Sequence, residues 1–279
     1  MDAKLQRRIQ RYGWDLASAD YEPLWRTHLA PAHQALLDFA ALRSGERVLD
    51  VACGTGLITF AAARAVAPGG WALGVDISGE MLAGAASRVR ARRGADVEFM
   101  RMDAEALDLP DETFDVALCA LGLMYLPDPG RALAEMRRVL RPGGRLVAAI
   151  WGRRADCGWA AAFPIVDAEV ASEVCPLFFA LGEGEALADL CAAAGFAVTD
   201  TTRLATTLVH ASGQEACDAA FVGGPMALAW SRFDAETRIR ACQLYLDAVA
   251  GWRRLDGGYD IPGEFVVVSA RATEIAPSA

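Results

Sequence analysis

Val48-Leu49-Asp50-Val51-Ala52-Cys53-Gly54-Thr55-Gly56-Leu57 is an apolar run that stops in a glycine turn and reopens in a helical pattern. Glycines at 54 and 56 admit positive φ and let a ligand approach the main chain, and the helix that follows offers unpaired N–H groups to an anion. The stretch therefore reads as the first strand–turn–helix unit of a fold that binds a nucleotide-like molecule. Two residues narrow the ligand. A dinucleotide-binding turn wants a third glycine where this chain has Thr59. Asp50, at the strand end, repels a pyrophosphate and favours a cation.

Working outward, short apolar runs alternate with helical patterns from Arg47 to Gly152, the signature of βαβ units and a parallel sheet. The expected strands are Arg47–Val51, Trp71–Asp76, Val97–Met102, Phe114–Ala120 and Arg145–Trp151. The expected helices between them are Leu57–Ala67, Ser78–Arg93 and Asp128–Leu140, the last with Pro129 in its first turn, where its missing N–H costs nothing. Pro68-Gly69-Gly70 and Pro142-Gly143-Gly144 read as breakers. Residues 1–45 read as two helices capping the sheet, with Tyr12, Trp14, Tyr21 and Trp25 either core or the roof of a pocket. After Trp151 the alternation loosens into helical segments near 159–174, 183–194, 214–222 and 234–252. Two β-rich runs, Phe196–Leu208 and Glu264–Ala270, are placed to complete the sheet as an antiparallel pair, leaving the helices as a lid. The expected fold is α/β: a Rossmann-like, doubly wound, mostly parallel seven-stranded sheet with an antiparallel edge strand. Its expected divisions are a cap over 1–45, a cofactor-binding core over 46–152, and lid helices with the last strands over 153–279.

Gly74-Val75-Asp76-Ile77-Ser78 places an acid at the end of the second strand, about 20 residues past the glycines, where a carboxylate accepts from ribose hydroxyls. Ser78 doubles as a helix N-cap. Met102-Asp103-Ala104-Glu105 places an acid at the third strand end, suited to an adenine amino group. Phe114 to Leu121 points its end at the reacting centre, with Tyr125 five residues beyond Ala120. The sign of Asp50 favours the ammonium and sulfonium of S-adenosylmethionine over NAD.

In this order and spacing the four pieces resemble the class I S-adenosylmethionine-dependent methyltransferases, particularly the type 11 group that includes the ubiquinone and menaquinone C-methylases. The resemblance covers about residues 45–152, and Asp111 to Asp115 and Glu135 to Gly144 also look like it. It implies that Asp50 to Gly56 hold the methionine part, that Asp76 holds ribose, that Asp103 and Ala104 contact adenine, and that an N-terminal aromatic, matched by Tyr21, covers the cofactor. The expected cofactor set is Tyr21, Asp50, Ala52, Cys53, Gly54, Gly56, Leu57, Asp76, Ile77, Met81, Asp103, Ala104, Glu105, Cys119 and Ala120.

The expected reaction is in-line transfer of a methyl group to an oxygen, nitrogen or carbon nucleophile. Aligning two bound reactants can supply up to ~7–11 kcal/mol, so no dedicated triad is needed. If the acceptor carries an acidic hydroxyl, His28, His33, His210 or Tyr125 can take its proton; His33, His210 and Tyr125 are the catalytic candidates. Trp151, Trp159, Phe163, Phe178, Phe179, Phe221 and Trp230 point to a largely apolar acceptor such as a quinol, phenol or natural product, or simply to core. The competing readings are a noncatalytic S-adenosylmethionine-binding scaffold and, less favoured, a nicotinamide oxidoreductase.

Bulk properties bound these readings. A net charge of −9 and a pI near 4.9, with basic residues scattered along the sequence, argue against a nucleic-acid substrate. The clusters Arg88–Arg93 and Arg137–Arg145 fall on expected helix ends, where cations meet the helix dipole. Seven cysteines contain no C-x-x-C pair and no Cys/His cluster at zinc spacing, so no metal and no disulfide framework is expected. No apolar run reaches the ~20 residues of a membrane span, and Met1 to Arg11 lead into no signal-peptide core; the expectation is a cytoplasmic protein, with a homodimer compatible with the sequence.

Overall fold

The computed structural model describes residues 3–91, 96–170 and 177–273. The order of elements is α1 (Ala3–Ala40), β1 (Arg47–Val51), α2 (Leu57–Ala65), β2 (Trp71–Asp76), α3 (Gly79–Ala91), β3 (Val97–Arg101), β4 (Phe114–Ala120), α4 (Pro129–Val139) and β5 (Leu140–Trp151). There follow α5 (Ala162–Val170), α6 (Ala186–Ala193), β6 (Phe196–His210), α7 (Gly213–Phe221), α8 (Ala227–Trp230), α9 (Ala235–Ala248) and β7 (Tyr259–Ala272). One seven-stranded sheet runs β3-β2-β1-β4-β5-β7-β6. Strands β3 to β5 are parallel, and β7 is antiparallel to both β5 and β6. The doubly wound sheet with late antiparallel strands is thus as the sequence led one to expect.

Alternate residues of the central strands explain why both faces are covered. Leu49, Val51, Leu73, Val75, Ala117 and Cys119 join one buried cluster, and Val48, Ala72, Val116 and Leu118 join the other. A strand buried on both sides loses polar alternation and reads as a continuous apolar run. Local signals also act as written in the sequence. Asp128 caps α4 by accepting from Arg131 N–H at 2.9 Å, with Pro129 opening the helix. Ser78 Oγ accepts from Met81 N–H at 3.2 Å at the start of α3, and Gly195 takes φ +86° beyond α6.

Four features depart from the sequence reading. The N-terminal region is one 38-residue helix, α1, that runs through Pro23 and Pro31. Proline removes a main-chain donor and crowds the preceding turn, but buried Trp25, Leu29 and Ala32 fix α1 to one core cluster and Leu36 and Ala40 fix it to the other, which holds the axis continuous. Strand β5 begins at Leu140, not Arg145, and passes through Pro142-Gly143-Gly144 with Gly143 at φ +72°. Strand β6 reaches His210 because it pairs with β7 as far as Tyr259. The basic residues are also less scattered than they look in one dimension: helical spacing brings Lys4, Arg7, Arg8 and Arg11 together with Arg101 along one groove. The ends of the expected helices at 78–93 and 159–174 lie outside the described residues.

Candidate functional site

The chain runs from β1 outward through β2 to β3, then returns to place β4 on the other side of β1. This reversal opens a crevice at the carboxyl ends of β1 and β4, where ligands of doubly wound sheets bind. Two residues without glycine's freedom take the left-handed conformation there, Ala52 after β1 at φ +55° and Leu121 after β4 at φ +60°. Such strain, of order 1–3 kcal/mol each, concentrates at binding sites. A Cβ on Gly122 would lie 2.5 Å from Ala52 Cβ and 2.9 Å from Cys119 Sγ, so only glycine lets the two strand ends approach so closely.

The glycine loop and the second acid form one unit. Gly54 N–H donates to Asp76 Oδ2 at 2.8 Å, and Ser78 N–H donates to Oδ1 at 2.8 Å. Asp76 is thereby aimed, and each oxygen keeps a further lone pair for a hydroxyl donor. Gly54 has φ +54°, and a Cβ there would meet no atom within 4 Å, so the position faces open space. Gly56, at φ +81°, serves a different purpose: a Cβ would strike the Phe99 ring at 2.6 Å.

Asp50 is 1% exposed. Its Oδ2 accepts from the Thr59 hydroxyl at 2.6 Å, and its Oδ1 is buried without a hydrogen-bond partner. Thr59, the residue that breaks the dinucleotide pattern, is therefore what orients the first acid. Burial pushes the Asp50 carboxyl up to about 7, helped by the charge of Asp76 and opposed by the Thr59 hydroxyl. Burial also raises Asp76, against the lowering effect of its backbone donors. A cation between them relieves both penalties.

Three spaces that share lining residues, Tyr21 among them, follow the crevice. The first, about 780 Å³, is lined by Trp14, Tyr21, Ala52, Gly54, Asp76, Ile77, Met81, Asp103, Ala104, Ala120, Leu121 and Tyr125, among others. A space of about 290 Å³ on the other side of Gly54 is lined by Tyr21, His33, Asp50, Ala52, Cys53, Gly54, Leu57 and Ala120. A third, of about 320 Å³, is walled by Trp14, Tyr21, Trp25, Leu29, Leu121, Tyr125, Trp151, Trp159 and residues 223–225. Trp14, Tyr21, Leu121 and Tyr125 border both the first and the third.

Most of the expected cofactor residues thus meet in the first two spaces. Gly56, Glu105 and Cys119 line none of the three. Gly56 shapes the turn. Glu105, 1% exposed, accepts from Asp128 N–H at 3.1 Å and pairs with Arg7. Cys119 is fully buried, its thiol pushed up to about 12 by that burial. Among the catalytic candidates, Tyr125 stands at the border of the large and the aromatic spaces. His33 lines the same small space as Asp50, lowered to about 4 by burial and so neutral at pH 7. His210 lines none of the three; it sits at the end of β6 with its ring 4.6 Å from that of His28. The sequence reading did not find Arg7, which reaches from α1 to Asp103 at 3.0 Å and borders the large cavity. No motif marks it, since only the course of α1 brings it there.

Against known proteins, residues 48–144 match the family model described as a methyltransferase domain. The chain carries a class I S-adenosylmethionine-dependent methyltransferase domain. The domain is similar in sequence to those of ubiquinone/menaquinone C-methyltransferases. The chain is 40% identical over 134 residues to a ubiquinone/menaquinone biosynthesis C-methyltransferase of Hahella chejuensis, covering 48% of this chain and 51% of that one. It is 32% identical over 145 residues to the aklanonic acid methyltransferase DauC of a Streptomyces species, covering 52% and 66%. The match thus spans about half the length of the first of these relatives. A solved protein of Bacillus halodurans shares the fold over 87% of this chain and 99% of its own, with TM-score 0.63 and 21% identity. The [4+2]-cyclase SpnF is 25% identical, with TM-score 0.57, over 87% of this chain and 81% of its own.

S-adenosylmethionine is the cofactor of this domain, and the residues present fit it: the buried, partnerless Asp50 Oδ1 waits for a donor in the smaller space beside Gly54. Among the described residues, no helix is long and apolar enough to cross a membrane.

Proposed function

We propose that the protein transfers a methyl group from S-adenosylmethionine to a small, flat, largely apolar acceptor held in the aromatic space. The observation that carries this reading is the shared border: Trp14, Tyr21, Leu121 and Tyr125 face both the cofactor cavity and the aromatic one. When bound, the cofactor supplies an electrophilic sulfonium methyl. On this reading Asp76 holds the ribose, Asp103 and Ala104 meet the adenine, and Asp50 with the glycine loop holds the methionine end. Trp25, Trp151 and Trp159, with ring centroids 5.0–5.9 Å apart, give an acceptor a rigid wall and exclude water. Orientation of the acceptor against the cofactor is the main contribution to rate.

The bond that forms joins the methyl to an oxygen, nitrogen or carbon nucleophile as the bond to sulfur breaks, and the acceptor's proton leaves to solvent, directly or relayed through the Tyr125 hydroxyl, which gives up its own proton as it accepts. Quinols, phenols and aromatic natural products suit the walls, and two of the similar proteins are named for ubiquinone/menaquinone biosynthesis and for aklanonic acid. The test is S-adenosylhomocysteine release across a panel of such acceptors, alongside calorimetry with S-adenosylmethionine and with NAD. Release with flat aromatic acceptors is expected; binding of NAD alone would overturn the assignment. Cofactor binding without release from any acceptor would favour a scaffold, or the kind of use suggested by the name of the cyclase neighbour.

A further inference from the structure

His28, His210 and Glu215 come from three separate elements. His28 lies on α1 behind Trp25, His210 ends β6, and Glu215 lies in the first turn of α7. One ligand atom from each lies within 4.8 Å of the others, and both imidazoles are buried, 6% and 1% exposed. The Nδ1 of His210 is buried with no hydrogen-bond partner. A fold leaves such an atom unsatisfied at a cost of ~1–3 kcal/mol, so it calls for a partner absent from the polypeptide. Glu215 is oriented already, accepting from Ala211 N–H at 2.8 Å through Oε2, which leaves Oε1 for a second bond.

We propose that these three side chains bind a divalent transition-metal ion of the Zn²⁺ type, which braces α1 against the β6–α7 turn. Two imidazoles and one carboxylate are a donor set suited to such an ion and leave a fourth position to water. Ligand atoms about 2.0–2.2 Å from a tetrahedral ion stand roughly 3.3 Å apart, so the present cluster needs only side-chain adjustment to close. Arg254 donates to the His210 carbonyl at 3.4 Å but is paired with Asp256 and Asp260. Sequence spacing hid the group, because 182 residues separate His28 from His210.

The site lies on the wall of the aromatic space, not in it. Trp25, three residues before His28, lines that space and donates from Nε1 to Ala219 O at 3.2 Å. The ion would add a second clamp across the same α1–α7 contact. Its role is to hold the wall, and it takes no part in methyl transfer; the inference stands whether or not the methylation reading holds.

The test uses the full chain after dialysis against a chelator. Titration with Co²⁺ is expected to give visible ligand-field absorption saturating at one equivalent, displaced by Zn²⁺, and Zn²⁺ is expected to raise the melting temperature. His210→Phe keeps the ring packing and should weaken Zn²⁺ binding by about 100-fold, the upper end of what disturbing a metal site's support costs. Glu215→Gln keeps an acceptor for Ala211 N–H and should weaken it about tenfold or more. Because Glu215 is partly exposed, this second variant carries the test if the first does not fold. The proposal is overturned by the absence of saturable Co²⁺ absorption, by a near-ultraviolet thiolate band showing that cysteines hold the ion, or by unchanged affinity in Glu215→Gln.

Discussion

The two spaces that meet at Tyr21 and Leu121 are built by opposite means. The cofactor space is made at strand ends, from main chain freed by glycine and from carboxylates fixed by neighbouring N–H and hydroxyl groups. The aromatic space is made from ring edges delivered by α1, β5, the segment at 159 and the turn at 223–225. The first depends on a few positions whose replacement has no substitute. The second is a packed surface in which volume, not a particular hydrogen bond, sets what enters. The contrast predicts sharp, residue-specific losses on one side and graded changes in acceptor preference on the other.

Gly54→Val should produce the largest effect. It puts a branched side chain into the open space at a left-handed φ, and calorimetry should detect no S-adenosylmethionine binding while circular dichroism still reports a folded chain. Normal binding by a folded variant would show that the loop does not touch the cofactor. Asp76→Ala comes next. Losing charge-assisted hydrogen bonds worth about 1.5–3 kcal/mol should raise the dissociation constant roughly 10–100-fold, and an unchanged constant would remove the ribose role.

On the aromatic side, Gly224→Val tests the contrast directly. A Cβ there meets only Trp25 Nε1, at 3.6 Å, so the variant should fold, bind cofactor normally and lose about tenfold in kcat/KM for the acceptor, the scale of one or two methyl groups in an apolar pocket. Equal loss of cofactor affinity would mean that the two spaces are not separable.

The mildest expected effect is in pH. Asp50 is pushed up to about 7 by burial, so it is largely neutral at pH 6 and ionised at pH 8. Affinity for the cationic cofactor should rise by up to about tenfold per unit on approaching pH 7, then level, and Asp50→Asn should flatten the curve. The sign for stability is opposite. A carboxyl whose folded pKa lies above its unfolded one holds its proton longer in the folded state, so its contribution to the stability of the cofactor-free protein is full below about pH 4 and is lost as pH rises through 7. Chemical denaturation at pH 5 and 8 checks this, with Asp50→Asn as the reference.

The legible parts of the molecule were those whose function resides in local conformation. Gly54, Gly56 and Asp76 announce a turn and an acid at the end of adjacent strands, and parallel pairing of β1 with β2 brings them into contact. Glu105 and Cys119 stand beside cavity residues in sequence yet line none of the three spaces: alternation along β4 turns Cys119 away from Ala120's side, and Glu105 is taken up by Asp128 N–H and Arg7. Arg7 carried no signal, and His28 was legible only as one of several possible proton acceptors, not as a neighbour of His210 and Glu215.

Chain order and residue type alone determined the α/β alternation, the doubly wound sheet and the glycine–acid pair, because each depends on hydrogen-bonding geometry within a few residues or on a period of two or 3.6. Only the tertiary structure decided that α1 is continuous, that tryptophans 25, 151 and 159 form one wall, and that His28 meets His210 and Glu215. The physical reason is that these contacts join segments far apart in the chain, whose meeting is set by how whole elements pack and leaves no periodic trace in the sequence.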